Sequence, residues 1–456
     1  MVPSGNLSKK IAALAVPQLP EQSSILIGLS GGVDSVVLLH FLFKNAARYS
    51  WRLSALHVHH GVSANADDWA GFCTELCEQY QIPLHIEYVD IAPLREHGIE
   101  AAARKLRHAA FAGQSCDFVA LAHHIDDQAE TLLLQLLRGA GVRGAAAMSQ
   151  LTNRNDSIPL ARPLLNCSRQ EILKYATEHD LRWINDESNV DDSYPRNFLR
   201  HRVLPLLGEK FPAYRETLAR STHHFAEASV LLDDLARLDT LDLFPDRSGS
   251  AEPGDLRIKV SRLKSLSLAR AKNLLRFYLH EQGAPTPHAS QLQDMLQQLL
   301  GARNDASVCV SFGGGWQVRR YRDEVFVLRA PNEFDRNLVL LWHGEAELNW
   351  PALDSLLHFK SAKQIHEAGI SLVKLQRGQV TLRLRSGGET LRPNLKAARR
   401  SLKNLLQEHH VPPWQRDRLP LLYCDEHLVC VPNVAIAAEY QAGDEEASIS
   451  VQVGGT

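Results

Sequence analysis

Apolar, β-branched runs at residues 25–30, 53–59, 84–89 and 118–122 alternate with segments at 35–47, 66–80, 100–114 and 126–137, where apolar positions recur about every 3.6 residues. Short buried strands separated by helices predict a parallel sheet covered on both faces. This is a doubly wound α/β domain, and its ligands are expected outside the carboxyl ends of the strands. Helical periods continue at 168–179 and 195–207. A longer helix, from 214 to about 238, reads as a connector. A loop-like stretch at 243–255, with Pro245, Gly249, Pro253 and Gly254, marks a boundary. Beyond it, helices at 267–281 and 289–300 precede strand-like pieces at 308–312, 316–321 and 325–328. The last part carries strands near 380–384, 421–424 and 428–432 and a helix at 395–407. The pattern predicts a nucleotide-binding α/β domain at 1–215, a helical linker and middle domain at 216–340, and a C-terminal domain at 360–456. The latter two are smaller α+β units.

Composition adds bounds to this picture. A chain of 456 residues exceeds what one hydrophobic core organises, and 45% hydrophobic with 22% charged residues is an ordinary globular balance. No run of 18 apolar residues occurs, and residues 1–20 lack a basic, apolar, small-residue leader, so no membrane and a cytoplasmic location are expected. The seven cysteines are scattered without a CxxC pair and read as reduced, mostly buried thiols. Net charge is only −2, but residues 374–418 hold eleven Lys or Arg against three acidic residues. Within that stretch Lys396, Arg399, Arg400 and Lys403 recur at helical spacing, which predicts a cationic face suited to RNA phosphates; a solvated basic surface is the alternative.

The most informative local segment is Ile25-Leu26-Ile27-Gly28-Leu29-Ser30-Gly31-Gly32-Val33-Asp34-Ser35. A buried strand ends in a glycine-rich turn that opens a helix. Glycines let backbone N–H groups approach phosphate oxygens, and the helix start adds positive dipole. The loop has no lysine, so it is not a Walker A cradle. Ser-Gly-Gly-x-Asp-Ser after a first strand is the pyrophosphate loop of enzymes that cleave ATP to AMP and pyrophosphate. ATP contacts are therefore expected from Ser30, Gly31, Gly32, Val33, Asp34 and Ser35. A carboxylate inside an anion loop makes sense when Mg²⁺ bridges it to phosphate, which assigns Asp34 to the metal.

A second motif follows the fourth strand: His123-His124-Ile125-Asp126-Asp127-Gln128-Ala129-Glu130-Thr131. Asp126 is placed to cap the helix, and Asp127 and Glu130 share one face of its first turn. Together with Ala103-Arg104-Lys105-Leu106-Arg107-His108, Arg196-Asn197-Phe198-Leu199-Arg200, Arg385-Ser386-Gly387-Gly388-Glu389 and Val411-Pro412-Pro413-Trp414, these motifs resemble the tRNA(Ile)-lysidine synthetase family over almost the whole chain. Where that family has His-Gly-Leu-Arg, this chain reads His57-Val58-His59-His60-Gly61-Val62-Ser63 and offers no arginine.

The resemblance implies an adenine-nucleotide-hydrolase-like fold and a two-step ligation. ATP adenylates the carbon-2 oxygen of the wobble cytidine in the CAU anticodon of tRNA(Ile), and the ε-amine of L-lysine then displaces AMP to give lysidine. It implies Asp34, Asp127 and Glu130 as catalytic residues, His123 among the ATP contacts, and Asp127, Glu130 and Arg104 around the lysine. His123 and His124 are the histidines considered for the proton that the amine loses. Arg196, Asn197 and Arg200 close over the triphosphate or the RNA backbone, and the basic C-terminal residues grip the tRNA. A homodimer is admitted. Three rivals stand beside this reading: a tRNA thiolase of the same superfamily, which would need a CxxC pair or an iron-sulfur site; an amide-forming synthetase with its own ammonia source; and a non-catalytic tRNA-binding protein.

Overall fold

The computed structural model describes residues 10–11, 19–61, 63–91, 99–154, 157–185, 187–241, 257–303, 306, 308–330, 334–353, 355–361, 369–396, 398–443 and 446–455. The expected boundary at 243–255 lies outside them. The chain forms two compact units, residues 1–239 and 240–456.

The first unit is built on a six-stranded sheet of order β3-β2-β1-β4-β6-β5. Its strands are β1 (Ser24–Gly28), β2 (Arg52–His59), β3 (Leu84–Tyr88), β4 (Phe118–Ala120), β5 (Leu151–Arg154) and β6 (Ser157–Ala161). The helices that flank it are α1 (Val33–Tyr49), α2 (Ala66–Tyr80), α3 (Ile99–Ala112), α4 (Ile125–Leu137) and α5 (Arg169–Glu178). Strand β1 is central, in parallel register with β2 through Ile25↔Leu53 and with β4 through Ile25↔Phe118. It has to be apolar on both sides. Ile25 and Ile27 pack with Val36, Leu39, Phe41 and Ile172 on one face, and Leu26 packs with Leu56, Phe111 and Val119 on the other. Full burial of each such side chain is worth about 1.5–3 kcal/mol, which fixes the register. The sheet, doubly wound with β1–β4 and β6 parallel, is the predicted α/β architecture.

Two strands at its edge have no counterpart in the sequence reading. β6 lies parallel to β4, and β5 folds back antiparallel along β6 as the edge. Pro159 within β6 and the polar Thr152 and Asn153 in β5 hide the pattern. After α5 the chain forms α6 (Pro195–Phe198), a π turn (Leu199–Val203), α7 (Leu204–Lys210) and the 28-residue α8 (Tyr214–Leu241).

The second unit begins with an antiparallel sheet of order β7-β10-β9-β8, formed by β7 (Ile258–Lys259), β8 (Val308–Phe312), β9 (Trp316–Tyr321) and β10 (Glu324–Arg329). Helices α9 (Val260–Ser265), α10 (Leu268–Glu281) and α11 (Ala289–Gly301) accompany it, and buried Arg320 caps α11 by donating to the carbonyls of Leu299 and Ala302, both at 2.8 Å. Strands β11 (Val339–Leu341) and β13 (Ser355–Ser361), which begin ahead of residue 360 and thus before the expected C-terminal domain, pair with strands beyond it. β11 joins β15 (Val380–Arg383), and β12 (Glu347–Trp350) joins β13. β13 in turn pairs with β21 (Ser448–Gly455), to which the short β14 (Ile370–Ser371) also pairs, and fully buried Trp350 lies in the core they share. α12 (Leu372–Leu375) follows β14.

The predicted helix at 395–407 is shorter. β16 (Thr390–Leu391) pairs with β17 (Arg400–Ser401), and Ser401 caps α13 (Leu402–Glu408) by accepting the Asn404 N–H at 3.3 Å. Lys396 lies in a turn, Arg399 precedes the strand, Arg400 is within it and bonded to Glu408, and only Lys403 is helical. The four cations therefore do not share a helix face. Their spacing mimicked a helix, but the strand pair and the serine cap delay its start to residue 402. The segment continues through α14 (Pro413–Arg416), β18 (Leu421–Cys424), β19 (His427–Val431) and β20 (Ala435–Ile436). Among the described residues no helix is long and apolar enough to cross a membrane.

Candidate active site at the carboxyl end of the parallel sheet

The glycine loop leaves the carboxyl end of β1, and its shape is held by its own backbone. Gly31 adopts φ +84°, its carbonyl accepts the Ile184 N–H at 2.9 Å, and a Cβ on it would lie 2.5 Å from Ile184 Cδ1. Backbone conformation and crowding thus both require glycine. Ser35 Oγ donates to the Gly32 carbonyl at 2.9 Å and lies 3.2 Å from Ser30 Oγ, so the two hydroxyls brace the turn. Below the loop, neutral His57 donates from Nδ1 to the Leu29 carbonyl at 2.9 Å. The first N–H groups of α1 then point out of a loop that is already formed, as an anion site requires. Gly31→Ala should cost about 1–3 kcal/mol in urea unfolding and weaken ATP binding. Gly32→Ala should do little to stability, because φ there is −69° and a Cβ would meet only Ser30 Oγ at 3.5 Å. Equal losses in the two variants would contradict this account.

Beside the loop, the first turn of α4 presents three carboxylates to a set of cations. Glu130 has a side chain with 0% exposure. Its Oε2 accepts from Arg196 Nε at 2.7 Å and from Arg200 Nη2 at 2.9 Å, while Oε1 accepts from Arg200 Nε at 2.6 Å. Asp127 Oδ1 accepts from Arg196 Nη2 at 3.2 Å, and its Oδ2 takes the His124 N–H at 2.9 Å. Asp126 accepts the Arg169 N–H at 3.1 Å and is bonded to Arg215. The π turn at Leu199–Val203 follows Arg196 and contains Arg200, and both guanidinium groups reach the same carboxylate. His124 is 2% exposed and joins this cluster to the loop: its Nε2 lies 3.5 Å from Asp127 Oδ2 and 3.8 Å from Asp34 Oδ1.

Electrostatics separates the two histidines. Burial opposes a charge on His124, but Asp127, Asp126 and Asp34 around it raise its pKa above the ordinary value. His123 is pushed down to about 3, chiefly by burial, and is neutral. Of the two histidines considered as proton acceptors, His124 is the one whose surroundings favour the charged form. Burial would raise Asp127 too, yet His124 and Arg196 hold it below the usual carboxylate range. Asp34 differs: burial raises it, and its Oδ1 is buried without a hydrogen-bond partner. A cavity of about 410 Å³ opens over this cluster, lined in part by His124, Asp126, Glu130, Arg169, Arg200 and Arg215.

Comparison with known proteins follows the same division of the chain. Residues 3–207 match the PP-loop domain model, 259–326 the TilS substrate binding domain and 380–453 the TilS substrate C-terminal domain. The chain is 41% identical over 429 residues to the tRNA(Ile)-lysidine synthase of Nitrosomonas europaea, covering 94% of this chain and 91% of that one. It is 38% identical to the tRNA(Ile)-lysidine synthase of Aromatoleum aromaticum, covering 96% and 98%. The chain belongs to the tRNA(Ile)-lysidine synthase family. A solved U34-tRNA thiolase of Methanococcus maripaludis with its [4Fe-4S] cluster is more remote, 19% identical with a TM-score of 0.43 over 49% of this chain and 79% of that one.

In this lysidine synthase family member the sequence-predicted residues fall into three places. Ser30, Gly31, Gly32, Val33, Asp34 and Ser35 form the loop, with His123 at the end of β4 nearby. Arg104 is exposed on α3 and acts electrostatically on His123, which puts it at the same sheet end. Arg196 and Arg200 meet Asp127 and Glu130, whereas the Asn197 side-chain amide donates to the Asp191 carbonyl at 2.9 Å. Lys396, Arg399, Arg400 and Lys403 belong to the second unit. One expectation changes. Glu130, expected to receive the lysine cation, already has both oxygens occupied by Arg196 and Arg200. Sequence reasoning did not assign Arg169, Arg215 or Ile184; only Arg169, just behind the Ser168 cap of α5, carried a positional signal.

The residues present fit Mg²⁺. Asp34 Oδ1, buried without a hydrogen bond and with only His124 Nε2 at 3.8 Å, suits a metal ligand. Among the described residues no group of three or more acidic, His or Cys side chains could enclose a metal. One carboxylate supplemented by substrate phosphates is how Mg²⁺ is ordinarily held.

Proposed function

We infer that this chain ligates L-lysine to carbon-2 of the wobble cytidine of tRNA(Ile) bearing a CAU anticodon, at the expense of ATP. The observation that carries this reading is the preformed pyrophosphate loop with Asp34 beside a buried acid–arginine cluster, in a chain that matches a lysidine synthase over 94% of its length.

In the first step the cytosine O2 attacks the α-phosphorus of ATP, and pyrophosphate leaves. The loop N–H groups, Ser30 and Ser35 orient the phosphates for in-line displacement. Mg²⁺ held by Asp34 supplies charge neutralisation on the phosphates when bound. Arg196 and Arg200, fixed by Glu130, present their remaining N–H groups to the departing pyrophosphate. In the second step the neutral ε-amine of lysine bonds to carbon-2, and the C2–O bond to AMP breaks. The proton that the amine sheds leaves with the departing AMP phosphate. Arg104, exposed on α3, binds the lysine carboxylate in this reading, and Asp127, already bonded to Arg196 and the His124 N–H, contributes negative charge near the lysine cation.

The test uses the whole chain with ATP, labelled lysine and either tRNA(Ile) or the methionine tRNA that shares its anticodon. Label should enter only the isoleucine tRNA, with one AMP and one pyrophosphate released per lysine. Incorporation without ATP, or equal labelling of both tRNAs, would refute the reading.

A further inference from the structure

The cavity of about 410 Å³ in the first unit holds more positive charge than the steps above use. Three guanidinium groups line it, those of Arg169, Arg200 and Arg215, against two carboxylates, Asp126 and Glu130. Two of the three arginines are committed. Arg200 donates to both oxygens of Glu130, at 2.6 and 2.9 Å. Arg215 is bonded to Asp126, and its guanidinium carbon stands 4.5 Å from the centre of the Tyr214 ring. Burial opposes the charge on Asp126, but His124, Arg215 and the Arg169 N–H hold its carboxyl well below the usual range. The carboxylates of the wall are therefore ionised and already satisfied.

Arg169 is different. Its backbone is fixed on both sides: the Glu171 N–H donates to Ser168 Oγ at 3.2 Å, Glu171 Oε2 accepts the Ser168 N–H at 2.7 Å, and the Arg169 N–H donates to Asp126 at 3.1 Å. Its side chain is exposed and makes no ion pair with any described residue. Its charge nonetheless reaches Asp34, where it works against the rise that burial imposes on that carboxyl. A guanidinium on a pinned backbone thus lies close to the loop carboxylate and also lines the cavity with surplus positive charge. Such a group keeps its rotamer freedom until an anion arrives, and its planar fork matches phosphate oxygens.

We propose that Arg169 is a catalytic residue of the adenylation step, and that this cavity holds pyrophosphate as it leaves. When cytosine O2 bonds to the α-phosphorus, the bond from that phosphorus to the bridging oxygen breaks. Its electron pair stays on pyrophosphate, which gains a negative charge. Arg200 and Arg215 are held by carboxylates and stay where they are, whereas Arg169 is free to move with the departing group. A contact that strengthens only as this charge appears raises kcat and leaves the KM for ATP nearly unchanged. The cavity lies within the range of about 300–1,000 Å³ that small ligands occupy. The proposal rests on the adenylation step inferred above and names the group that receives its leaving charge.

The test uses the full chain with ATP, Mg²⁺ and tRNA(Ile) but no lysine, and follows exchange of labelled pyrophosphate into ATP. R169M should lower the exchange rate by about 10²-fold, with the KM for ATP within about threefold and the melting temperature unchanged. Inhibition of lysidine formation by added inorganic pyrophosphate should weaken by about tenfold in R169M, the scale of one charge-assisted contact. R169K keeps the charge and should stay within about threefold of wild type in that inhibition. An R169M enzyme that exchanges at the wild-type rate overturns the proposal. So does an R169K enzyme as insensitive to pyrophosphate as R169M, since charge would then not be what matters. A variant whose only defect is a raised KM for lysine also overturns it, and gives the cavity to the amino acid's carboxylate. Wild-type protein with no tRNA-dependent exchange is a distinct result: the adenylation step itself fails, and this assignment falls with it.

Discussion

Asp34→Asn should abolish most lysidine formation, by about 10³-fold, while leaving the protein as stable as before or slightly more so. The activity loss follows from removing the one loop carboxylate that can hold a cation against the phosphates, an electrostatic contribution on the scale of several kcal/mol. The stability gain follows from the direction of the Asp34 pKa. Burial raises it above 3.8, so the folded state binds this proton more tightly than the unfolded state does. Stability from this group is then full below pH 3.8 and falls as pH rises through the folded value, which leaves a deficit at neutral pH. Asparagine removes the deficit. In metal-free buffer the variant should melt at or above the wild-type temperature near pH 7.5, and the difference should shrink as pH is lowered towards 4. A variant markedly less stable than wild type at neutral pH would mean that Asp34 is a structural anchor.

The second large effect is expected at Glu130. Glu130→Gln keeps the shape but leaves two guanidinium groups facing an amide, one end of which donates where they also donate. Breaking a buried ion pair from one side costs about 3–5 kcal/mol. Both arginines retain some exposure, 22% and 25%, so the lower part of that range applies. A loss of about 3 kcal/mol should lower the melting temperature of the first unit by roughly 6–12 °C. Displaced arginines should reduce lysidine formation by about 10²-fold. Arg200→Met in the Glu130→Gln background should cost less than either change alone predicts. Strict additivity in that cycle would show that the pair is not coupled, and would return Glu130 to the role of a substrate ligand.

These two residues also mark how far the sequence could be read. The loop around Asp34 was legible because its chemistry is local: strand, glycines and helix start are contiguous, and the apolar run at 25–30 could only be a central strand. Glu130 was legible as functional, but its role was not. Its partners lie 66 and 70 residues away, and no local pattern announces a contact across that distance. A signal did exist. Acids at i and i+3 in one helix start and arginines at i and i+4 in another are complementary spacings, and their match could have been weighed. The β5–β6 edge was missed because short strands with proline and polar residues give no period. The 395–407 helix was overextended because a β bridge of two residues can place four cations at apparent helical intervals.

The bond from Ile184 to the Gly31 carbonyl has a consequence for how the protein is made. The nucleotide loop is translated early, yet one of the groups that shape it is encoded more than 150 residues later, and the arginines that complete its surroundings come later still. At about 5–20 residues per second, a nascent chain spends on the order of ten seconds or more with the glycine loop synthesised but not yet braced. The share of the loop's bracing that comes from Ile184 is therefore set only once more than a third of the chain has been made.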